Sequence, residues 1–239
     1  MNAEKPSYMR EVLETREMER NMGPQHPATH GVYRAILTLD GERIMKLNSV
    51  VGYLHRGIEK WAEYRTYQQG VPIYDRLDYL GAVLNNHGIV GAVEKLLQLE
   101  VPRKAEYQRV ICDELQRLAS HLMWFATHAL DIGAMSVLFY GVREREPIMD
   151  LFEAHFGQRL LPNAYPIGGC RLDFPKGWTE ACRKFLKALK PRIDDYETLL
   201  TGNRMWRQRT IGVGVISKED AIAYGLSGPT LRGSGVYFD

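Results

Sequence analysis

The amino-acid sequence predicts a mainly α protein with a small β part, an α+β chain in which an antiparallel helical bundle carries a flanking β-hairpin. Three observations lead there. Apolar residues recur at steps of three and four through long stretches between Asp78 and Gly202, the period of helices that bury one face. Two alternating runs in "VYRAILTLDGERIMKLNSVVG" meet at Asp40-Gly41, the signature of a hairpin turn. The 239 residues are 45% hydrophobic and 25% charged, the balance of a chain that can bury a core.

In chain order, the sequence divides into a polar N-terminal arm over residues 1–20, a β-hairpin with its preceding loop over 21–70, a helical bundle over 71–205, and the start of a further lobe over 206–239. Inside the bundle, Asp78 to Leu97 reads as a helix whose Gly81, Gly88 and Gly91 admit close backbone approach. From Lys104 to Leu130, residues Tyr107, Ile111, Leu115, Leu118, Leu122, Phe125 and Ala129 form a narrow stripe suited to bundle packing. "SVLFYGVREREPIMDLFEAHFG" makes a third helix. "GWTEACRKFLKALKPRIDDYETLLTG" makes a fourth, with a kink expected at Pro191 and an end at Gly202. Beyond Arg204, "TIGVGVI" reads as a strand, and Ser217 with Asp220 caps a short helix ending at Gly225. The closing "LRGSGVYFD" reads as a strand-like run without a closing element, as in a truncated lobe.

Lys+Arg 31 against Asp+Glu 29 is an even mixture, which argues against a nucleic-acid or other polyanion partner. The first twenty residues are charged throughout, and no stretch reaches the ~18 apolar residues of a membrane span. The expectation is a chain in the cytosol or on the cytosolic face of a membrane. Cys112, Cys170 and Cys182 share no CxxC spacing, so neither a disulfide framework nor a zinc knot is expected.

Phosphate-binding loops and hydrolase motifs such as GxGxxG, GxSxG and HExxH are missing from the sequence. His121 and His128 lie seven apart on one helix, roughly 10 Å, too far to share a metal ion. "REREP", Arg143 to Pro147, reads either as a solvated charged face or as an internal salt-bridge cluster where helices meet. His26 and His30 in "GPQHPATHG" stand four apart, a helical zinc spacing, but Pro24, Pro27 and Gly31 favour a loop at the mouth of a strand.

"NMGPQHPATHGV", "GYLHRGIEK", "YDRLDY", "ELQRLASHL", "ALDIGA", "REREPIMDLFE" and "LRGSGV", in this order from Asn21 onward, resemble the quinone-site subunit of respiratory complex I, the bacterial NADH-quinone oxidoreductases. The resemblance implies a fold related to nickel-iron hydrogenase large subunits. It also implies a place beside the small iron-sulfur subunit and the membrane-arm quinone-channel subunit, peripheral on the cytoplasmic face of the bacterial inner membrane. The substrate is then a membrane quinone, ubiquinone or menaquinone, while NAD and the iron-sulfur clusters belong to partner subunits. No nickel or cluster is expected on this chain. By the same resemblance His30 and Tyr79 hydrogen-bond the quinone headgroup, Asp131 lies beside that histidine, and Arg76 lies towards the terminal cluster. His26 is a second headgroup candidate, more suited to a structural hydrogen bond.

Elementary chemistry agrees with these assignments. A quinone presents two carbonyl acceptors, and its reduction consumes two electrons and two protons; a histidine and a tyrosine supply two hydrogen bonds and two protons. An aspartate near the imidazole favours its protonated form. A second reading is a hydrogenase-like or other-donor dehydrogenase complex in which the chain is a truncated or structural relative. Between Glu59 and Asp78 there is no cysteine, which removes thiolate ligation of nickel at that end. One departure from the resemblance stands out: Leu161, Pro162 and Pro166 occupy positions where family members carry basic residues.

Overall fold

The structure is a computed structural model that describes residues 16–238. It comprises two compact units, one ending at Arg65 and one beginning at Thr66. Of the polar arm expected over residues 1–20, residues 1–15 lie outside the described residues and residues 18–20 begin a strand.

The first unit is a three-stranded antiparallel sheet in the order β1-β2-β3, with β1 at Met18–Met22, β2 at Arg34–Asp40 and β3 at Arg43–Val50. The expected hairpin joins β2 to β3 through Gly41, which has a positive φ. Alternation in β2 buries Ala35 and Leu37. β1 pairs Met18 with Leu39 and Met22 with Ala35, and Arg34 Nε donates to Asn21 Oδ1 at 2.9 Å across the pair. A short helix, α1 (Ile58–Ala62), follows.

In the second unit, α2 (Tyr67–Tyr74) starts from a capping box in which Thr66 and Gln69 satisfy each other's backbone N–H. The helices α3 (Ala82–Leu97), α4 (Arg103–Asp131), α5 (Met135–Phe156) and α6 (Trp178–Tyr196) form the bundle. Their core gathers Val83, Cys112, Leu115, Ile148, Phe152 and Phe185, among others. α4 and α5 run antiparallel across the three-residue turn Ile132 to Ala134. They pack tightly at Gly141, where a Cβ would lie 2.7 Å from Ala126 Cβ and 2.8 Å from the Leu122 carbonyl oxygen. The fourth predicted helix continues past Tyr196 as a π-helical turn, Glu197–Thr201, capped by Gly202. Three short helices follow: α7 (Arg204–Thr210), α8 (Lys218–Ala223) and α9 (Gly228–Gly233). As expected, α8 begins at Ser217, whose hydroxyl accepts the Asp220 N–H.

Three expectations are corrected. "TIGVGVI" is not a strand: Gly212 and Gly214 take positive φ and the segment turns instead of extending. "LRGSGVYFD" contributes Leu231 to Gly233 to α9, and its described remainder is irregular. The apolar stripe of α4 holds only in its second half. Tyr107 and Ile111 are exposed, while Gln108, Arg109, Cys112, Asp113 and Gln116 face inward, because this end of the helix is buried against polar partners.

"REREP" resolves as an internal cluster with one exposed edge. Glu144 is 0% exposed and accepts from Arg143 Nε at 2.7 Å, from the Tyr196 hydroxyl at 3.1 Å and from Arg192. Burial pushes the Glu144 carboxyl up, but hydrogen bonds from Arg192, Arg143 and Tyr196 outweigh it and hold the group below the usual range. Glu146 points outward and binds Arg159.

Candidate functional site

In the first unit, Gly23 to Gly31 folds as a loop around a 3-10 turn at Pro27–Thr29. Thr29 is buried, and its hydroxyl donates to the carbonyls of Pro24 at 3.1 Å and His26 at 2.9 Å. The loop closes further through the Thr29 N–H to the His26 carbonyl and the Val32 N–H to the Thr29 carbonyl. Gly23 has φ +82°, and a Cβ there would lie 2.1 Å from the Tyr33 carbonyl oxygen, so only glycine fits. Thus bound to itself, the loop holds His26 and His30 at its surface, both exposed. His30 has φ 51° and is followed by Gly31 at 75°; two left-handed residues in succession turn the chain sharply before β2.

In the second unit, Arg76 and Tyr79 share the turn between α2 and α3. Asp75, fully buried at its start, accepts from Asn86 Nδ2 at 3.0 Å and from the Asn163 N–H at 2.9 Å. Burial pushes the Asp75 carboxyl up, although the hydrogen bonds and Arg76 oppose the rise. At the far end, Gln116 Nε2 donates to the Leu80 carbonyl at 2.5 Å, and Asp78 Oδ1 accepts the Leu80 N–H at 3.1 Å. A Cβ on Gly81 would lie 2.7 Å from Asp78 Oδ2. A turn pinned at both ends therefore presents Tyr79, which is 60% exposed. The Arg76 guanidinium donates to the Pro72 carbonyl, and its side chain is exposed.

Asp131 is the last residue of α4 and exposed. The helix ends through the Gly133 N–H on the Leu130 carbonyl and the Ala134 N–H on the Ala129 carbonyl, each 2.8 Å. Arg209 Nη1 on α7 donates to the Ile132 carbonyl at 2.6 Å.

The departure segment Leu161 to Pro166 packs beside the same turn as Tyr79. Leu161 and Asn163 both take positive φ, Asn163 bonds Asp75, and the Tyr165 N–H donates to Asn86 Oδ1 at 2.8 Å. The Tyr165 hydroxyl donates to Asp113 Oδ1 at 3.0 Å, and Asp113 Oδ2 meets His87 Nδ1 at 2.5 Å. Behind it, Arg109 forms a bidentate pair with Glu94 at 2.8 and 2.7 Å and also holds the Gly169 carbonyl at 2.8 Å.

The five candidate side chains thus divide between the units, His26 and His30 in the first and Arg76, Tyr79 and Asp131 in the second. Thr29, Asp75, Gln116 and Arg209 escaped sequence reasoning. Thr29, Asp75 and Gln116 lie inside quoted motifs, but Gln116, like Arg209, acts on a backbone carbonyl far along the chain, which leaves no local pattern. Among the described residues, no group of three or more His, Cys, Asp or Glu side chains could hold a metal ion. Burial pushes up all three thiols, Cys112, Cys170 and Cys182, which keeps them protonated and poor ligands. No helix among the described residues is long and apolar enough to cross a membrane.

The chain is thus a helical bundle and a small sheet, and its polar candidates sit on a self-bonded loop, on a pinned turn and at the end of α4. Residues 131–239 match the model of the family described as the 49 Kd subunit of respiratory-chain NADH dehydrogenase. Over 228 residues, 95% of this chain, the sequence is 57% identical to the NADH-quinone oxidoreductase D subunit of Geotalea uraniireducens (strain Rf4). It is 57% identical over 222 residues to the D subunit of Citrifermentans bemidjiense and 53% over 228 residues to that of Geobacter sulfurreducens. The chain covers 58%, 57% and 58% of these relatives, respectively.

Proposed function

We propose that the chain forms the quinone-reduction site of a proton-translocating NADH-quinone oxidoreductase, next to the terminal iron-sulfur cluster of a neighbouring subunit. The observation that carries this reading is the likeness to proteins named as D subunits of NADH-quinone oxidoreductase over 95% of the chain, a span that includes His30, Tyr79 and Asp131. The local geometry supports it: His30 and Tyr79 are exposed polar side chains on braced segments.

In this reading His30 and Tyr79 each donate a hydrogen bond to one carbonyl of the quinone headgroup and then the proton that reduction consumes. Asp131 favours the charged imidazole and is left needing a partner or a proton once His30 has given its own up. His26 borders the headgroup slot, and Arg76 faces the cluster, which supplies the electrons from the partner subunit. NAD is bound elsewhere in the complex, and this chain sits peripherally on the cytoplasmic face of the bacterial inner membrane. The bundle shares the frame of nickel-iron hydrogenase large subunits, with no cysteine between Glu59 and Asp78 to ligate nickel at that end.

The test is His30→Ala and Tyr79→Phe in the assembled complex, with NADH oxidation by a hydrophilic artificial acceptor as control. Quinone reduction is expected to fall on the order of 10²-fold, the value of a positioned proton donor, with the control rate unchanged. Wild-type quinone turnover in His30→Ala overturns the reading.

A further inference from the structure

The turn that ends α4 immediately after Asp131 is held by a side chain from a helix with no part in the proposed chemistry. Arg209 Nη1 donates to the Ile132 carbonyl at 2.6 Å across 77 residues of sequence. That carbonyl is one of the C-terminal acceptors a helix cannot satisfy itself, and a cation there also meets the negative end of the helix dipole. The guanidinium lies against Gly133, which has φ +103°; a Cβ on Gly133 would fall 2.3 Å from Nη1. Glycine is needed there for both reasons, the backbone angle and the room for the arginine.

α7 is itself firmly seated. Asn203 Oδ1 accepts the N–H groups of Met205 and Trp206 at 2.9 and 3.2 Å, and Trp206 packs on the cluster of Ala129, Val137 and Leu200. Trp206 therefore bears on the turn's flanking helices and Arg209 on the turn. A cavity of about 320 Å³ lies in the same region, lined by Gly133, Ala134, Trp206 and Arg209 among others. Close packing is missing on that side, so the arginine bond carries the positional restraint that a filled core supplies elsewhere.

We propose that Arg209 is a positioning residue for Asp131: by holding the Ile132 carbonyl it fixes the last turn of α4 and with it the direction of the Asp131 carboxylate. The inference rests on the role proposed above for Asp131. It requires no contact between the two side chains, because the backbone of Asp131 and Ile132 transmits the restraint.

The test uses Arg209→Met, Arg209→Lys, Asp131→Asn and the double variant Arg209→Met/Asp131→Asn in the assembled complex. Arg209→Met is expected to lower kcat for quinone reduction on the order of tenfold, the cost of a small misplacement, with KM unchanged. Arg209→Lys, which keeps one donor, restores most of it. The double variant should be no slower than Asp131→Asn alone. Wild-type kcat in Arg209→Met, or losses that multiply in the double variant, overturn the proposal. Amide hydrogen exchange of Gly133 and Ala134 in the 239-residue chain separates the two premises. Arg209→Met must accelerate it, and unchanged exchange overturns the clamp whatever the kinetics. Faster exchange together with wild-type turnover in Asp131→Asn overturns the role of Asp131 and leaves Arg209 a purely structural clamp.

Discussion

Asp75 Oδ2 accepts the backbone N–H of Asn163 at 2.9 Å, joining residues 88 apart in sequence. The bond ties the start of the turn that carries Arg76 and Tyr79 to a segment whose Leu161 and Asn163 both adopt left-handed backbone. Asn163 tolerates that angle better than most residues, but Leu161 does not, so the segment needs outside support. Asp75→Ala takes an acceptor from two donors, the half-buried Asn163 N–H and the buried Asn86 Nδ2, which keeps only its 3.5 Å contact to Asn163 Oδ1. Each costs about 1–3 kcal/mol, so urea denaturation should show a loss of about 2–4 kcal/mol overall. Asp75→Asn retains one acceptor and should lose about half as much. A midpoint within error of wild type for Asp75→Ala would show that the link does not support the segment.

The Glu94–Arg109 pair gives stability a defined pH dependence. Burial pushes Glu94 up, but the Arg109 hydrogen bonds and the Gly168 N–H outweigh it and hold the carboxyl below its ordinary value. A carboxyl with a depressed folded pKa contributes stability that is fully present above its unfolded value of about 4.3 and is lost as pH falls through the folded pKa. Glu144 acts in the same direction. Asp75 opposes them, since its folded pKa is raised and it favours the fold more as pH falls through that raised value. With two depressed groups against one raised, the denaturation midpoint should decline below about pH 4.5. At neutral pH, Arg109→Met leaves Glu94 charged and unpaired, with side chains only 2% and 6% exposed in the native pair, and should cost about 3–5 kcal/mol. Below the folded pKa of Glu94 the gap between variant and wild type should narrow. A gap constant from pH 7 to pH 3 would contradict the assignment.

Gly141 sets the spacing of α4 and α5. An added methyl would meet Ala126 Cβ at 2.7 Å and the Leu122 carbonyl at 2.8 Å, and a helix backbone cannot yield as a flexible side chain can. Gly141→Ala should therefore destabilise by about 1–3 kcal/mol through overpacking, against the gain of up to about 1 kcal/mol that alanine brings to an unconstrained helix position. Combining it with Ala126→Gly removes only one of the two clashes and should recover part of the loss in thermal denaturation. A more stable Gly141→Ala would show that the helices can part without penalty.

How far the sequence revealed this architecture depended on where each residue's partner lay. The hairpin was legible because Asp40-Gly41 sits between alternating runs, and the long helices because Leu115, Leu122 and Ala129 keep the helical period. β1 was not, since Met-Glu-Arg-Asn-Met has no strand alternation and exists as a strand by pairing with β2. "TIGVGVI" misled in the opposite sense: its Val and Ile suit a sheet, but its glycines take turn angles and it is not part of the described sheet. On α4, Gln108, Arg109 and Asp113 look like a solvated face, and only their distant partners Asp173, Glu94 and Tyr165 make them interior. The same limit applies to the candidate site. The loop character of "GPQHPATHG" follows from its prolines and glycines, whereas the supports from Gln116 and Arg209 reach backbone carbonyls that have no sequence signature.

Thr29 provides the last prediction, because it braces the loop that carries His30. Its hydroxyl lies inside the loop, donating to the Pro24 and His26 carbonyls, while His30, the next residue, stands in a left-handed conformation that the loop must enforce. Valine has nearly the same shape but no hydroxyl. Thr29→Val therefore removes the internal hydrogen bond, worth about 1 kcal/mol, while keeping the buried volume. The global fold should tolerate that loss, since the sheet and bundle do not depend on it. The loop should not: without the brace His30 samples other positions, and displacements near 1 Å can cost on the order of 10²-fold in rate. Quinone reduction in the assembled complex should fall by about tenfold or more in Thr29→Val, with the melting temperature little changed. Thr29→Ser, which restores the donor and lacks only the methyl, should return most of the rate. If Thr29→Val turns over quinone like wild type while His30→Ala is inactive, the proline and glycine geometry of the loop is sufficient to hold His30, and the threonine brace is dispensable.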